Sequence, residues 1–216
     1  MHTALQRFHA EFPQLQNHDC GQLAEALQRI STEVFADALA RDYLAQAWLL
    51  RWQKQIPAYL EWQLDNELAG WRYLEAEKPF AVEVTENLTL HGRIDRIDSR
   101  SDDKGTLCVL DYKTQAIAKL KDKLKDAGED VQLACYAYAR AASDAAFVGL
   151  EGDRVIAVAP PNDVGELARL NIARLGKVFE QMRAGTTLPA NGIDTVCAYC
   201  EMQGLCRKAE WESAHG

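Results

Sequence analysis

Asp95, Asp111 and Lys113 are the residues of this chain whose types and spacing can do chemistry together. Asp95 closes the run Gly92-Arg93-Ile94-Asp95, near the end of an expected strand. Asp111 ends the apolar run Cys108-Val109-Leu110, and Lys113 follows two positions later. Residues two apart on a strand point to the same face, so Asp111 and Lys113 share one. A hairpin between the two strands sets both carboxylates side by side. Hard cations want this kind of oxygen cage: Mg²⁺ is usually held by one or two carboxylates, with water and substrate phosphate completing its shell. Such a cation can activate water for in-line attack on phosphorus. A neighbouring ammonium can orient the nucleophile and offset the growing negative charge. An isolated D-x-K is more often plain surface charge. Here it ends an apolar strand and is paired with a second aspartate one strand earlier.

Three further groups can contribute. Gln132 and Tyr136 lie four apart in VQLACYAYARAA, a helical pattern, and so share one helix face. Cys197, Cys200 and Cys206 form C-x2-C-x5-C, and close thiolates of this kind suit an iron–sulfur cluster or Zn²⁺. Lys119, Lys121 and Lys123, with Lys125, alternate with leucine and aspartate after the Asp111 strand. They are either phosphate contacts or a solvated connector. Tyr136, Tyr138 and Arg140 can help guide a single strand. Trp48, Trp52 and Trp62, at helical spacing, are expected in helix packing rather than as stacking platforms. Of the other cysteines, Cys20 reads as a small residue near a helix start, and Cys108 and Cys135 read as core.

The elements that must position these groups follow from hydrophobic periodicity. Residues 2–12 read as a helix with Leu5, Phe8 and Phe12 on one face. Residues 21–75 continue in a helical pattern, with a break or a new first turn at Pro57. Near Pro79 the pattern changes to alternation, and PFAVEVT, LTLHGRIDRID and TLCVLDYKT read as strands. A lysine-rich connector, the helix carrying Gln132, a hairpin turning near Gly152 and a helix from about Asp163 to Arg183 follow. The order predicts an α/β (α+β) fold: a mixed central sheet flanked by helices, with a helical N-terminal part. A single domain over 1–216 is expected, comprising a helical part (1–76), a core (77–184) and a cysteine-containing tail (185–216).

Composition bounds the rest. With 216 residues, 48% hydrophobic and 26% charged, the chain can bury a sizeable core. No run approaches the roughly 18 apolar residues of a membrane helix, and no signal-peptide pattern opens the sequence, so a cytoplasmic protein is expected. Without such a signal, the six cysteines do not read as a disulfide framework. A formal charge of −8 counts against a broad basic nucleic-acid surface. Only the local field at a groove matters for binding, however, and a carboxylate site itself adds negative charge.

GRIDRID, LDYKT and QLACY in succession resemble the motifs of RecB-like nucleases of the PD-(D/E)XK superfamily, the exonuclease domains of AddB/RecB-type helicase–nuclease machines. The resemblance covers nearly the whole chain and implies a restriction-endonuclease-like sheet. It implies metal binding by Asp95 and Asp111 and catalysis by Lys113, with Gln132 and Tyr136 lining the site. It also implies a metal-binding histidine on an early helix; His2 fits that pattern, and His9 is the alternative. Glu83 matches a strand glutamate preceding the G-x-x-D. The cysteine triplet resembles that of iron–sulfur members, which implies three ligands of a [4Fe–4S] cluster in a longer parent protein. The expected cofactor at the acidic site is Mg²⁺ or Mn²⁺. The expected partners are DNA and a helicase domain or subunit, since the chain carries no G-x-x-x-x-G-K-[ST] loop of its own. A non-catalytic DNA-binding or assembly module, or a zinc-binding module built on the cysteines, is the competing reading.

Overall fold

The computed structural model describes residues 1–103, 105–127, 130–186, 197–206 and 208. Its N-terminal part is three helices: α1 (His2–Glu11), α2 (Cys20–Leu39) and α3 (Leu44–Leu68). Asp19 caps α2, its carboxylate accepting from the backbone of Gly21 at 2.8 Å and of Gln22 at 3.2 Å. These are donors that a first helical turn leaves unpaired. Leu5 and Phe8, Leu23 and Leu27, and Trp52, Ile56 and Tyr59 meet in one buried cluster. Within it Trp52 Nε1 donates to Ser31 Oγ at 2.7 Å, so the α2–α3 seam satisfies its buried polar atoms.

The helical pattern expected over 21–75 is interrupted at residues 40–43 and stops at Leu68. Strand β1 (Trp71–Thr85) begins at Trp71, well before Pro79. Leu74 to Glu77 favour helix by propensity, but β2 (Leu88–Arg100) runs on to Arg100 and pairs back to Trp71. Sheet pairing overrides local preference there. Pro57 does not break α3 but sits inside it, on the exposed side. It forfeits one backbone hydrogen bond, while the burial of Ile56, Tyr59 and Leu60 around it carries the helix through.

Strands β1, β2, β3 (Leu107–Lys113), β4 (Asp144–Glu151) and β5 (Arg154–Val158) form one sheet in that order. Neighbours are antiparallel except β3 and β4, which are parallel. A parallel pair needs a crossover. It is supplied by α4 (Ile117–Lys123) and α5 (Gln132–Arg140). The lysine-rich segment is therefore not a plain connector: its apolar positions Ile117 and Leu120 are buried as α4. The β4–β5 hairpin turns at Gly152, whose φ of 61° suits glycine. Along β3 the side chains alternate between two cores. Cys108, Leu110 and Tyr112 join the α1–α3 cluster, and Val109 joins Leu133 and Ala137 of α5 with Phe147. The observed class is thus the predicted one, a mixed sheet flanked by helices.

Two compact units are present, Met1–Arg174 and Leu175–Gly216. The first holds the sheet, α1–α5 and the start of α6 (Val164–Arg183). The second holds the rest of α6 and the described cysteine segment, with a single helical turn at Gln203–Cys206. Among the described residues no helix is long and apolar enough to cross a membrane.

Candidate active site

The β2–β3 register brings the carboxylates together. Arg96 pairs with Leu110 and Ile97 with Val109, so one step further Asp95 lies beside Asp111. Asp95 is therefore inside its strand rather than near its end. The backbone N–H of Tyr112 donates to Asp95 Oδ2 at 3.0 Å, tying the two strands at that point. Burial pushes the Asp95 carboxyl above its ordinary range, opposed by the neighbouring His2. Asp111 is pushed up to about 6, first by burial and then by the Asp95 charge, with Lys113 acting against both. Two half-dry carboxylates, Asp95 raised in part by Glu77 and Asp111 in part by Asp95, mark a place prepared for positive charge.

Gln132 joins the other groups. Lys113 Nζ lies 2.6 Å from Asp111 Oδ2 and donates to Gln132 Oε1 at 2.8 Å. Gln132 Nε2 donates to Asp111 Oδ1 and to the Tyr136 hydroxyl, both at 2.8 Å. The four-residue spacing on α5 thus aims Gln132 and Tyr136 at one point, the base of the Asp111–Lys113 pair. Asp111 Oδ2 thus faces the Lys113 ammonium, while Oδ1 accepts from Gln132.

His2, at the start of α1, puts Nδ1 3.5 Å from Asp95 Oδ1 and 3.7 Å from Glu77 Oε1. One ligand atom from each of His2, Glu77 and Asp95 lies within 4.8 Å of the others. His9 is elsewhere: it is buried, with Nε2 2.6 Å from the Tyr59 hydroxyl. Glu77 was not singled out in the sequence. It sits between Ala76 and Lys78, whose partners Arg96 and Ile94 flank Asp95. Its φ of 52° is unusual for a residue with a side chain, and strain of this kind gathers at functional sites. Glu83, the glutamate favoured by the motif pattern, pairs with Thr89 at the far end of the hairpin. Six residues of strand, about 20 Å, separate it from Glu77.

The glycine of G-x-x-D has a steric reason. A Cβ on Gly92 would meet the Phe80 ring at 2.6 Å. Phe80 in turn packs edge-on against Tyr136, with ring centroids 5.9 Å apart. Gly92 therefore leaves room for the ring that backs Tyr136.

The donor set fits a divalent cation. Glu77 Oε1 is a buried carboxylate oxygen without a hydrogen-bond donor, an arrangement that is costly unless a cation satisfies it. Oxygen ligands with one imidazole suit Mg²⁺ or Mn²⁺. The cysteine segment differs. Cys197 is half-buried, Cys200 and Cys206 are exposed, and all are free thiols. Among the described residues their sulfurs do not converge on a common point. Cys108 is buried in the core, as expected, but Cys135 is only half-buried and outside both core clusters; burial raises both thiols.

The remaining candidates scatter. Lys119 and Lys121 are exposed on α4, while Lys123 pairs with Asp130 at 3.8 Å and Lys125 with Asp122 at 2.5 Å. Arg140 pairs with Glu75, and Tyr138 is exposed. Trp52 is buried, but Trp48 is 66% exposed, against the expectation that both are taken up in core or helix packing. Its position on α3 faces a cleft rather than a neighbouring helix.

The family model for the PD-(D/E)XK nuclease superfamily matches residues 1–207. A solved structure described as "Crystal structure of SSO0001" is similar at 17% identity and a TM-score of 0.40, covering 94% of this chain and 81% of that one. No curated protein matches the chain significantly.

Proposed function

Since the chain belongs to the PD-(D/E)XK nuclease superfamily, we propose that it is a divalent-metal-dependent deoxyribonuclease with Asp95, Asp111 and Lys113 at its reacting centre. The observation that carries this reading is the shared contact set on adjacent strands. Lys113 Nζ is held 2.6 Å from Asp111 and 2.8 Å from Gln132, with Asp95 tied to the next backbone N–H. His2, Asp95 and Asp111, with Glu77 beside them, would hold Mg²⁺ or Mn²⁺. When bound, that cation supplies Lewis-acid stabilisation of charge at the scissile phosphate. Lys113 orients the attacking water and offsets the charge that develops on phosphorus. Gln132 fixes the lysine and Asp111 relative to each other, and the Tyr136 hydroxyl extends this row toward a phosphate oxygen.

Two finer parts of the proposal rest on the motif resemblance. The cut is made from strand ends, delivered by a helicase domain or subunit in recombination repair. Cys197, Cys200 and Cys206 are three thiolates of a structural [4Fe–4S] cluster in a longer parent protein, which visible absorbance of that protein would reveal.

The test is cleavage of linear and circular DNA with Mg²⁺, with Mn²⁺ and with chelator. Metal-dependent loss of linear DNA is expected, with circles spared. Asp111→Ala and Lys113→Ala should each lower the rate about a hundredfold or more. Binding without cutting under every metal condition would leave a non-catalytic DNA-binding module instead.

A further inference from the structure

A cleft of about 900 Å³ opens beside His2, between α3 and the β4–β5 hairpin. Trp48, Arg51 and Gln55 fall at i, i+3 and i+7 of α3, on one face. Lys54 lies three positions beyond Arg51, and all four line the cleft. Of the candidate site's residues His2 alone lines it, so the cleft reaches the edge of the acidic site at His2. Trp52 forms part of the floor, buried with its indole N–H already bonded to Ser31. Gln55 fastens the floor to the hairpin by donating to the Leu150 carbonyl at 3.2 Å.

The α3 wall has the composition of a nucleic-acid track. Trp48 leaves its indole 66% exposed. Arg51 and Lys54 are exposed and make no ion pair or hydrogen bond among the described residues. In a chain of net charge −8, two unpaired cations beside a bare indole stand out as a local exception. The opposite wall carries Glu151 and Asp153. Glu151 is already engaged, accepting from the Ile117 backbone at 3.1 Å and pairing with Arg154 at 3.4 Å. An anionic ligand is thereby directed to the α3 side.

We propose that this cleft is the track of a single-stranded nucleic acid approaching the site. A base stacks on Trp48, backbone phosphates meet Arg51 and Lys54, and the strand passes His2. The direction of travel rests on the nuclease reading; the binding itself does not. A single strand is specified because stacking needs an unpaired base face, which a duplex hides. A duplex would also call for a broad basic surface, which this composition denies. From Trp48 to Gln55 the helix rises about 10 Å, close to three stacked nucleotides at about 3.4 Å each.

The experiment is fluorescence anisotropy of the full chain with a labelled oligothymidylate and with a blunt duplex of equal length, in chelator so that nothing is cut. The single strand should bind more tightly than the duplex. Trp48→Ala should weaken it at least about fivefold, and Trp48→Phe should restore most of the loss by keeping an aromatic face. Arg51→Ala with Lys54→Ala should flatten the logarithmic salt dependence by about 1.4. Absence of single-strand binding, equal binding of duplex, or wild-type binding by these variants would overturn the proposal and leave the cleft to another occupant, such as a protein segment. A parallel cleavage assay with Mn²⁺ separates the two readings. A wild-type chain that cuts while Trp48→Ala binds normally sinks the track alone. One that never cuts while Trp48→Ala loses the strand sinks the nuclease alone.

Discussion

Arg96 follows Asp95 in sequence and points the other way, into the helical core. It is fully buried, with Nε 2.6 Å and Nη2 2.8 Å from the two oxygens of Asp98. Its Nη1 reaches the hydroxyls of Tyr59 and Tyr112 at 3.2 Å each. Burial is the largest influence and works against the guanidinium charge, but Asp98, Tyr112 and Tyr59 together outweigh it and the group is held more firmly protonated than usual. Tyr112 links this network to the site, since its backbone N–H holds Asp95. Removing one partner of a buried ion pair strands the other, at about 3–5 kcal/mol. Arg96→Met should therefore lower the urea midpoint sharply, and adding Asp98→Ala should recover part of the loss. Near-wild-type stability of Arg96→Met would show that the pair holds nothing up.

Among the elements, α3 and the β1–β2 hairpin have the most consequence for the site. Pro57 lacks the N–H that would bond to the Gln53 carbonyl, and in a helix interior proline costs about 3 kcal/mol relative to alanine. Its exposed position means that nothing is lost in packing. Pro57→Ala should accordingly stabilise the protein, read as a higher melting temperature; a lower one would mean that the helix is built around the ring. In the hairpin, Thr85 pairs with Leu88, but Glu83 pairs with Thr89, a one-residue irregularity. Continued without it, the turn register would put Lys78 opposite Asp95 rather than Glu77. A bulge that slips one strand by one residue thus exchanges a cation for a carboxylate beside Asp95, at the proposed metal site.

For the molecule as a whole, the buried polar seam between helices and sheet makes stability depend on pH. Burial, and then the Arg96 charge, hold His9 well below its ordinary value of 6.5. The unfolded chain takes up that proton near 6.5 and the folded chain does not, so stability present above that pH is lost as pH falls. Asp111 acts oppositely. Its raised value means that its contribution is present in acid and lost as pH rises through about 6. Denaturant unfolding from neutral pH to about 5 should show a shallower acid-side loss for His9→Gln than for wild type. Parallel curves would mean that His9 does not set the slope.

The sequence alone determined the class of fold and most of the candidate site, because both rest on local rules. Period two marked β2 and β3, and D-x-K on one strand face put Asp111 beside Lys113. A four-residue helical spacing put Gln132 with Tyr136. Tertiary structure decided what depends on pairing between distant segments. It extended β1 back to Trp71 because β2 needed a partner, and it carried α3 through Pro57 because the core held both sides. It also brought His2 rather than His9 to Asp95. Glu77 came into the site through a bulge and a positive φ that no glutamate advertises. Trp48 emerged into a cleft because the packing face of α3 turns away from it, which helical spacing alone does not reveal.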